Sequence, residues 1–141
     1  MSNSTWRIAI GSDAAGLEHK QLILNDLRLD SRVASVIDLG VQSDDPERES
    51  YGEVGIRLAE LIAAGEADRG VLICGTGIGM AISANKVRGI RATVAHDSFS
   101  VERSILSNDC HVLALGQRVI GPELARRLVR EWLGYVFDPT T

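Results

Sequence analysis

Five short runs of apolar, partly β-branched residues recur along this chain at Trp6–Ile10, Val33–Leu39, Gly70–Ile73, Ile90–Ala95 and His111–Leu115, separated by stretches with helical periodicity. That alternation leaves few folds open. Strand, helix, strand, repeated, implies a parallel sheet whose helical crossovers are right-handed and cover both faces. The expected architecture is a three-layer α/β/α sandwich around a five-stranded parallel sheet, Rossmann-like in kind. With 141 residues the chain is long enough for one core and short for two, so residues 1–141 are read as a single domain. In such a sheet, ligands gather at the carboxyl ends of the strands.

Helix starts are legible in several places. Ser50 with Glu53 has the spacing of a capping box, Asp97 or Ser98 suits the cap of the fourth helix, and Pro122 suits the first turn of the last. The acidic stretch from Gln42 to Ser50 reads as a solvated connection. A net charge of -4 lacks the clustered Lys/Arg excess of a nucleic-acid footprint. No apolar run approaches a membrane span, and the start Met1-Ser-Asn-Ser-Thr-Trp6 has neither the charged nor the apolar region of a signal peptide. A cytoplasmic protein is expected. Cys74 and Cys110 form no disulfide framework or metal pattern, and Cys110 is read as core packing.

The segment Val71-Leu72-Ile73-Cys74-Gly75-Thr76-Gly77-Ile78-Gly79-Met80 sets a thiol at a strand-to-helix junction, with a sharp turn at Cys74 and Gly75 and a helix starting near Thr76. A helix N-terminus favours anions and can lower a cysteine pKa, so this segment is able to supply both a base and an anion cradle. Cys74 is equally open to a packing role, since unpaired cysteine is among the most buried residue types. The spacing Gly75-x-Gly77-x-Gly79 is neither the dinucleotide fingerprint nor a P-loop. Three further patches meet at the same edge: Gly11-Ser12-Asp13, His96-Asp97-Ser98 and Gly116-Gln117-Arg118. Asp13 suits a helix cap as well as a ligand contact, and Arg118 suits a surface ion pair as well as oxyanion recognition. His19 is expected on an exposed helix face. No histidine pair has metal-ligand spacing, so neither a metal nor another cofactor is expected. The patch Ser107-Asn108-Asp109 precedes the last strand and falls at the opposite edge, unless its helix ends early or another subunit delivers it.

In order and spacing, Ile10-Gly11-Ser12-Asp13 with Gly16, Ile73-Cys74-Gly75-Thr76-Gly77-Ile78-Gly79 through Ser83-Ala84-Asn85-Lys86 to Gly89-Ile90-Arg91-Ala92, Ser107-Asn108-Asp109, and Gly116-Gln117-Arg118-Val119-Ile120-Gly121 resemble the type B ribose-5-phosphate isomerases and the galactose-6-phosphate isomerase subunits. The resemblance covers nearly the whole chain. It implies a metal-free aldose–ketose isomerase working through an enediolate. Cys74 would carry the proton between C1 and C2, Thr76 would assist proton traffic at oxygen, and the amides of Gly75, Gly77, Ile78 and Gly79 would hold the enediolate oxygen. Asp13 and Asn108 would bind substrate hydroxyls, Tyr51 would line the pocket, Arg118 would contact phosphate, and Ser12 and His96 stand beside them on the substrate side. The family's dimers share residues across the interface, so a homodimer, or a tetramer built from it, is implied. A shared interface would also explain where Asn108 acts.

The chain departs from typical members at four points. Ala14 replaces a phosphate-side histidine, Ser107 replaces the histidine that opens the furanose ring, Gly52 replaces the proline after the pocket tyrosine, and the sequence ends at Thr141 without an arginine-bearing tail. Ser107 carries a chemical consequence. A pentose 5-phosphate closes a ring through O4, but a tetrose 4-phosphate has O4 esterified and needs no acid-base group for ring opening. The expected reaction is therefore the interconversion of D-erythrulose 4-phosphate and D-erythrose 4-phosphate. Two other readings stay open: a ribose-5-phosphate isomerase in which His96 opens the ring, and a non-catalytic sugar-phosphate-binding partner subunit.

Overall fold

A computed structural model describes residues 5–40 and 50–141, with Tyr51 by its backbone alone. The strands are β1 (Trp6–Ser12), β2 (Val33–Asp38), β3 (Arg69–Cys74), β4 (Ala92–Val94) and β5 (Val112–Gly116). The helices are α1 (Leu17–Leu29), α2 (Tyr51–Ala63), α3 (Ile78–Asn85), α4 (Ser98–Leu106) and α5 (Pro122–Leu133). All neighbouring strands pair in parallel, in the order β2-β1-β3-β5-β4. This is the expected sheet. The order reverses at β1 and β3, which makes the crevice beyond their carboxyl ends the natural ligand position.

Side-chain alternation divides the core in two. Ile8 and Ile10 of β1, Val71 and Ile73 of β3, and Leu113 and Leu115 of β5 pack with α1, α4 and α5 on one face. Ala9, Leu72, Cys74, Val112 and Ala114 pack with α2 and α3 on the other. Cys74 is therefore the last residue of the α2/α3 face. Helix starts follow the polar signals: Ser50 accepts from the Glu53 amide at 3.3 Å, Asp97 rather than Ser98 caps α4 by accepting from Ser100, and Pro122 opens α5. The fourth strand is shorter than expected. A turn in which Ile90 donates to the Val87 carbonyl, with Gly89 at φ +86, keeps Ile90 and Arg91 out of it.

At the opposite edge Arg69 is buried, with its guanidinium 3.7 Å from the Trp6 ring centre and donating to the Trp132 and Tyr135 carbonyls. Burial brings its pKa down to about 10, so it stays charged while it fastens the end of α5 to the sheet. Among the described residues no helix is long and apolar enough to cross a membrane. The acidic stretch read as a connection lies, apart from Ser50, outside the described residues.

Candidate active site

The thiol of Cys74 sits at the end of the central strand, 5% exposed, and accepts a hydrogen bond from the Gly77 amide at 3.1 Å. Three residues therefore separate strand from helix, and α3 begins at Ile78, two residues later than the sequence pattern indicates. The delay has two causes. Gly77 takes φ +83, a left-handed conformation that ends any helical run-in, and the Thr76 hydroxyl accepts the Ile78 amide at 3.2 Å, a local bond that competes with helix. The expected oxyanion donors Gly77 and Ile78 thus carry hydrogen bonds inside the loop. Gly79 and Met80 follow in the first turn, where amides have no carbonyl partner within the helix.

A second loop, leaving β5, is stitched onto the first. The Gln117 amide donates to the Cys74 carbonyl at 2.9 Å, and the Arg118 amide donates to the Gly75 carbonyl at 3.0 Å. The close approach depends on missing side chains: a Cβ on Gly116 would stand 2.7 Å from the Thr76 backbone. Arg118 lies along Gly75, its Nη1 3.4 Å from where a Cβ of that residue would be. His96, beyond β4, reaches the same loop, and its Nε2 accepts the Gly116 amide at 2.8 Å. Gly116 pairs in register with Cys74, so the imidazole stands one strand from the thiol. Burial holds His96 below the ordinary histidine value, with Asp97 opposing, which keeps the ring neutral and Nε2 an acceptor.

The β1 end contributes Asp13, whose amide donates to the Ile73 carbonyl at 3.3 Å. Asp13 caps the single 3-10 turn Ala14–Gly16 by accepting the Gly16 amide at Oδ1, and among the described residues no hydrogen bond engages Oδ2. Ser12 follows the parity of Ile8 and Ile10 and so points to the α1 face, away from the side on which Cys74 lies. It is fully buried, and its hydroxyl has no partner among the described residues. Nearby, fully buried Lys20 of α1 pairs with Asp38 at 2.8 Å, and the same carboxylate oxygen accepts the Gly40 amide at 2.9 Å.

His19 is not exposed as expected: it is buried, 6% accessible. The signal was present in the spacing of His19, Ile23 and Leu27, which lays one stripe along the buried side of α1. A polar residue at the head of an apolar stripe marks a buried polar contact. The His19 ring meets the Ile120 carbonyl, and its backbone amide donates to the side chain of Gln117, to which the sequence assigns no role.

Asn108 does not join the others within one chain. Helix α4 runs through Leu106, so Asn108 falls at the amino end of β5, about 13 Å of strand away from the Gly116 that pairs with Cys74. It is exposed and donates to the Arg103 carbonyl at 2.9 Å and the Ser107 hydroxyl at 3.0 Å. Asp109 beside it takes φ +49, uncommon for a residue with a side chain. Cys110 is not core: it lines a cavity of about 340 Å³ together with Thr93, Ser100, Arg103 and Asn108. Its thiol is pushed up by burial. Tyr51 opens α2, and its side chain lies outside the described residues. No cluster of three metal-ligating side chains occurs among the described residues.

The arrangement is a thiol and a helix N-terminus at a sheet switch point, flanked by a carboxylate, a neutral imidazole and a guanidinium: a site for proton transfer on a small anionic, oxygen-rich molecule. Residues 8–141 match the family described as Ribose/Galactose Isomerase. The chain is 57% identical over 133 residues to D-erythrulose-4-phosphate isomerase 2 of Mycolicibacterium smegmatis, covering 94% of this chain and 87% of that protein. It is 43% identical to ribose-5-phosphate isomerase B of Escherichia coli, over 94% of this chain and 86% of that protein. The solved structure of Clostridium thermocellum ribose-5-phosphate isomerase B superposes with a TM-score of 0.86 at 44% identity, covering 93% of this chain and 86% of the other. The chain belongs to the ribose/galactose isomerase family. It is an enzyme of the aldose–ketose sugar-phosphate isomerase class.

Proposed function

We propose that this enzyme interconverts D-erythrulose 4-phosphate and D-erythrose 4-phosphate through a cis-enediolate, with Cys74 as the base. Cys74 removes the proton from C2 of the aldose, negative charge develops on oxygen at the start of α3, and the proton returns to C1 to give the ketose. Thr76 passes a proton between the two oxygens. Arg118 holds the phosphate, and Asp13, through Oδ2, holds a hydroxyl. Asn108 is supplied by a second copy, because the two edges of one sheet cannot place it beside its own Cys74. The working unit is then a cytoplasmic homodimer. Apolar Ile78 and Ile82, 56% and 57% exposed one turn apart on α3, support a partner against the helix that carries the site.

The observation that carries the tetrose assignment is Ser107. Where typical members carry the ring-opening histidine, this chain has a hydroxyl that donates to the Arg103 carbonyl at 2.9 Å. His96 is a poor substitute: its Nε2 is occupied by Gly116, and the remaining nitrogen of a neutral ring bears hydrogen and has no base to offer. The 57% identity to an enzyme named for D-erythrulose 4-phosphate supports the same reading. The test is initial rates of the purified protein on D-erythrulose 4-phosphate and D-ribose 5-phosphate side by side. A marked preference for the tetrose is expected. A preference for the pentose would remove the substrate assignment and leave the isomerase chemistry standing.

A further inference from the structure

The loop that carries Arg118 is held from a third direction, by α1. Gly16, the residue preceding that helix, offers no side chain to cap it, so the orphan amides of its first turn need acceptors from elsewhere. One comes from 98 positions away: the His19 amide donates to Gln117 Oε1 at 3.0 Å. A second bond runs the same way. His19 Nε2 lies 2.9 Å from the Ile120 carbonyl, and because that oxygen only accepts, Nε2 must carry the proton. Gln117 and Ile120 bracket Arg118 in sequence, and both are held by the one buried histidine.

We infer that His19 and Gln117 are positioning residues that fix Arg118 for the phosphate end of the substrate, acting through the loop without touching the sugar. The inference rests on the reading that Arg118 contacts phosphate. Among the described residues the Gly116–Ile120 loop is otherwise tied at its first residue, where the Gly116 amide meets His96, and along its Cys74 side, through the Gln117 and Arg118 amides. Those bonds fix its distance from the thiol. They do not reach the Ile120 end of the loop, and Arg118 itself is exposed. The bonds to α1 hold that end, and with it the direction in which Arg118 leaves the loop. Loss of either bond should weaken phosphate binding and leave proton transfer at Cys74 intact.

The experiment uses full-length protein and whichever of the two sugar phosphates it turns over faster. Gln117→Ala and His19→Leu each remove one bond, while Gln117→Glu keeps an acceptor for the His19 amide and His19→Gln keeps a donor near the position of Nε2. Removing one hydrogen bond should raise KM roughly 3- to 10-fold with kcat within about 2-fold, and the conservative variants should restore most of the loss. Gln117→Ala placed on Arg118→Ala should add nothing further, because both act through one group. If the two effects multiply in full, or if kcat falls with KM unchanged, His19 and Gln117 do not work through Arg118. If Arg118→Ala alone leaves KM unchanged, the phosphate reading itself falls and this inference goes with it.

Discussion

His96 illustrates how a residue's environment decides between roles its type leaves open. A histidine at the active edge is able to serve as acid, base or ligand, but here burial depresses its pKa and its acceptor nitrogen is spent on Gly116. The stability consequence has a definite sign. The folded value lies below the ordinary one of about 6.5, so as pH falls through that value the unfolded chain takes the proton first. Stability from this group is full above that range and is lost down to the folded value. Denaturant midpoints at about pH 7.5 and about pH 5.5 should therefore differ more for the wild type than for His96→Gln, whose amide oxygen still accepts from Gly116. His111, also held low by burial, contributes equally to both proteins. Equal pH dependence in the two would show that His96 does not titrate in this way. The placement of Cys74, Asp13 and Arg118 at one edge was legible because each ends or closely follows an apolar run that forms a parallel strand. His19 was legible only by its helical spacing, and its pairing with Gln117 was not, since 98 positions of chain lie between them. Cys110 lies ahead of the last apolar run, in the α4–β5 connection, so it lines a cavity there instead of packing in the core.

Between strand and helix, the site is made by two loops in backbone contact, and glycines decide whether that contact is possible. At Gly116 a methyl group would meet the Thr76 backbone at 2.7 Å, with no flexible side chain able to yield. Gly116→Ala should cost about 1–3 kcal/mol and lower kcat/KM, because Thr76 and Arg118 both shift when the loops part. Gly121, five residues on, has open space where its Cβ would stand, and it takes φ -73. Gly121→Ala should therefore leave both the thermal midpoint and the activity near wild type. Equal behaviour of the two variants would mean that the loops are not pressed together at Gly116. Elements were the most legible level of this chain: all five strands fall where the apolar runs lie. Their ends were less so. The late start of α3 and of β4 comes from Gly77 and Gly89 in left-handed conformations, which a glycine permits but does not announce.

For the whole molecule, the parallel sheet gives the active edge a limit that no loop rearrangement of ordinary size removes. Everything following a strand meets at one edge, and everything preceding a strand meets at the other; Cys74 belongs to the first and Asn108 to the second. The sequence made this conflict visible, because Ser107-Asn108-Asp109 precedes the last apolar run, but strand order and subunit contacts are properties of the assembled chain and cannot be read from local pattern. If a twofold dimer brings the two edges together, each site takes Cys74 from one copy and Asn108 from the other. Cys74→Ala and Asn108→Ala proteins should then be nearly inactive alone. Mixed dimers of the two would contain one site with both residues intact and one with neither. With random exchange about half the dimers are mixed and half of their sites work, so activity should recover to roughly a quarter of the wild-type value. Refolding or co-expressing the two variants together and measuring isomerase activity per active-site equivalent checks this. Absence of recovery, with mixed dimers demonstrated by differential tagging, would place Asn108 outside the partner's site and return the substrate-hydroxyl role to residues at the Cys74 edge.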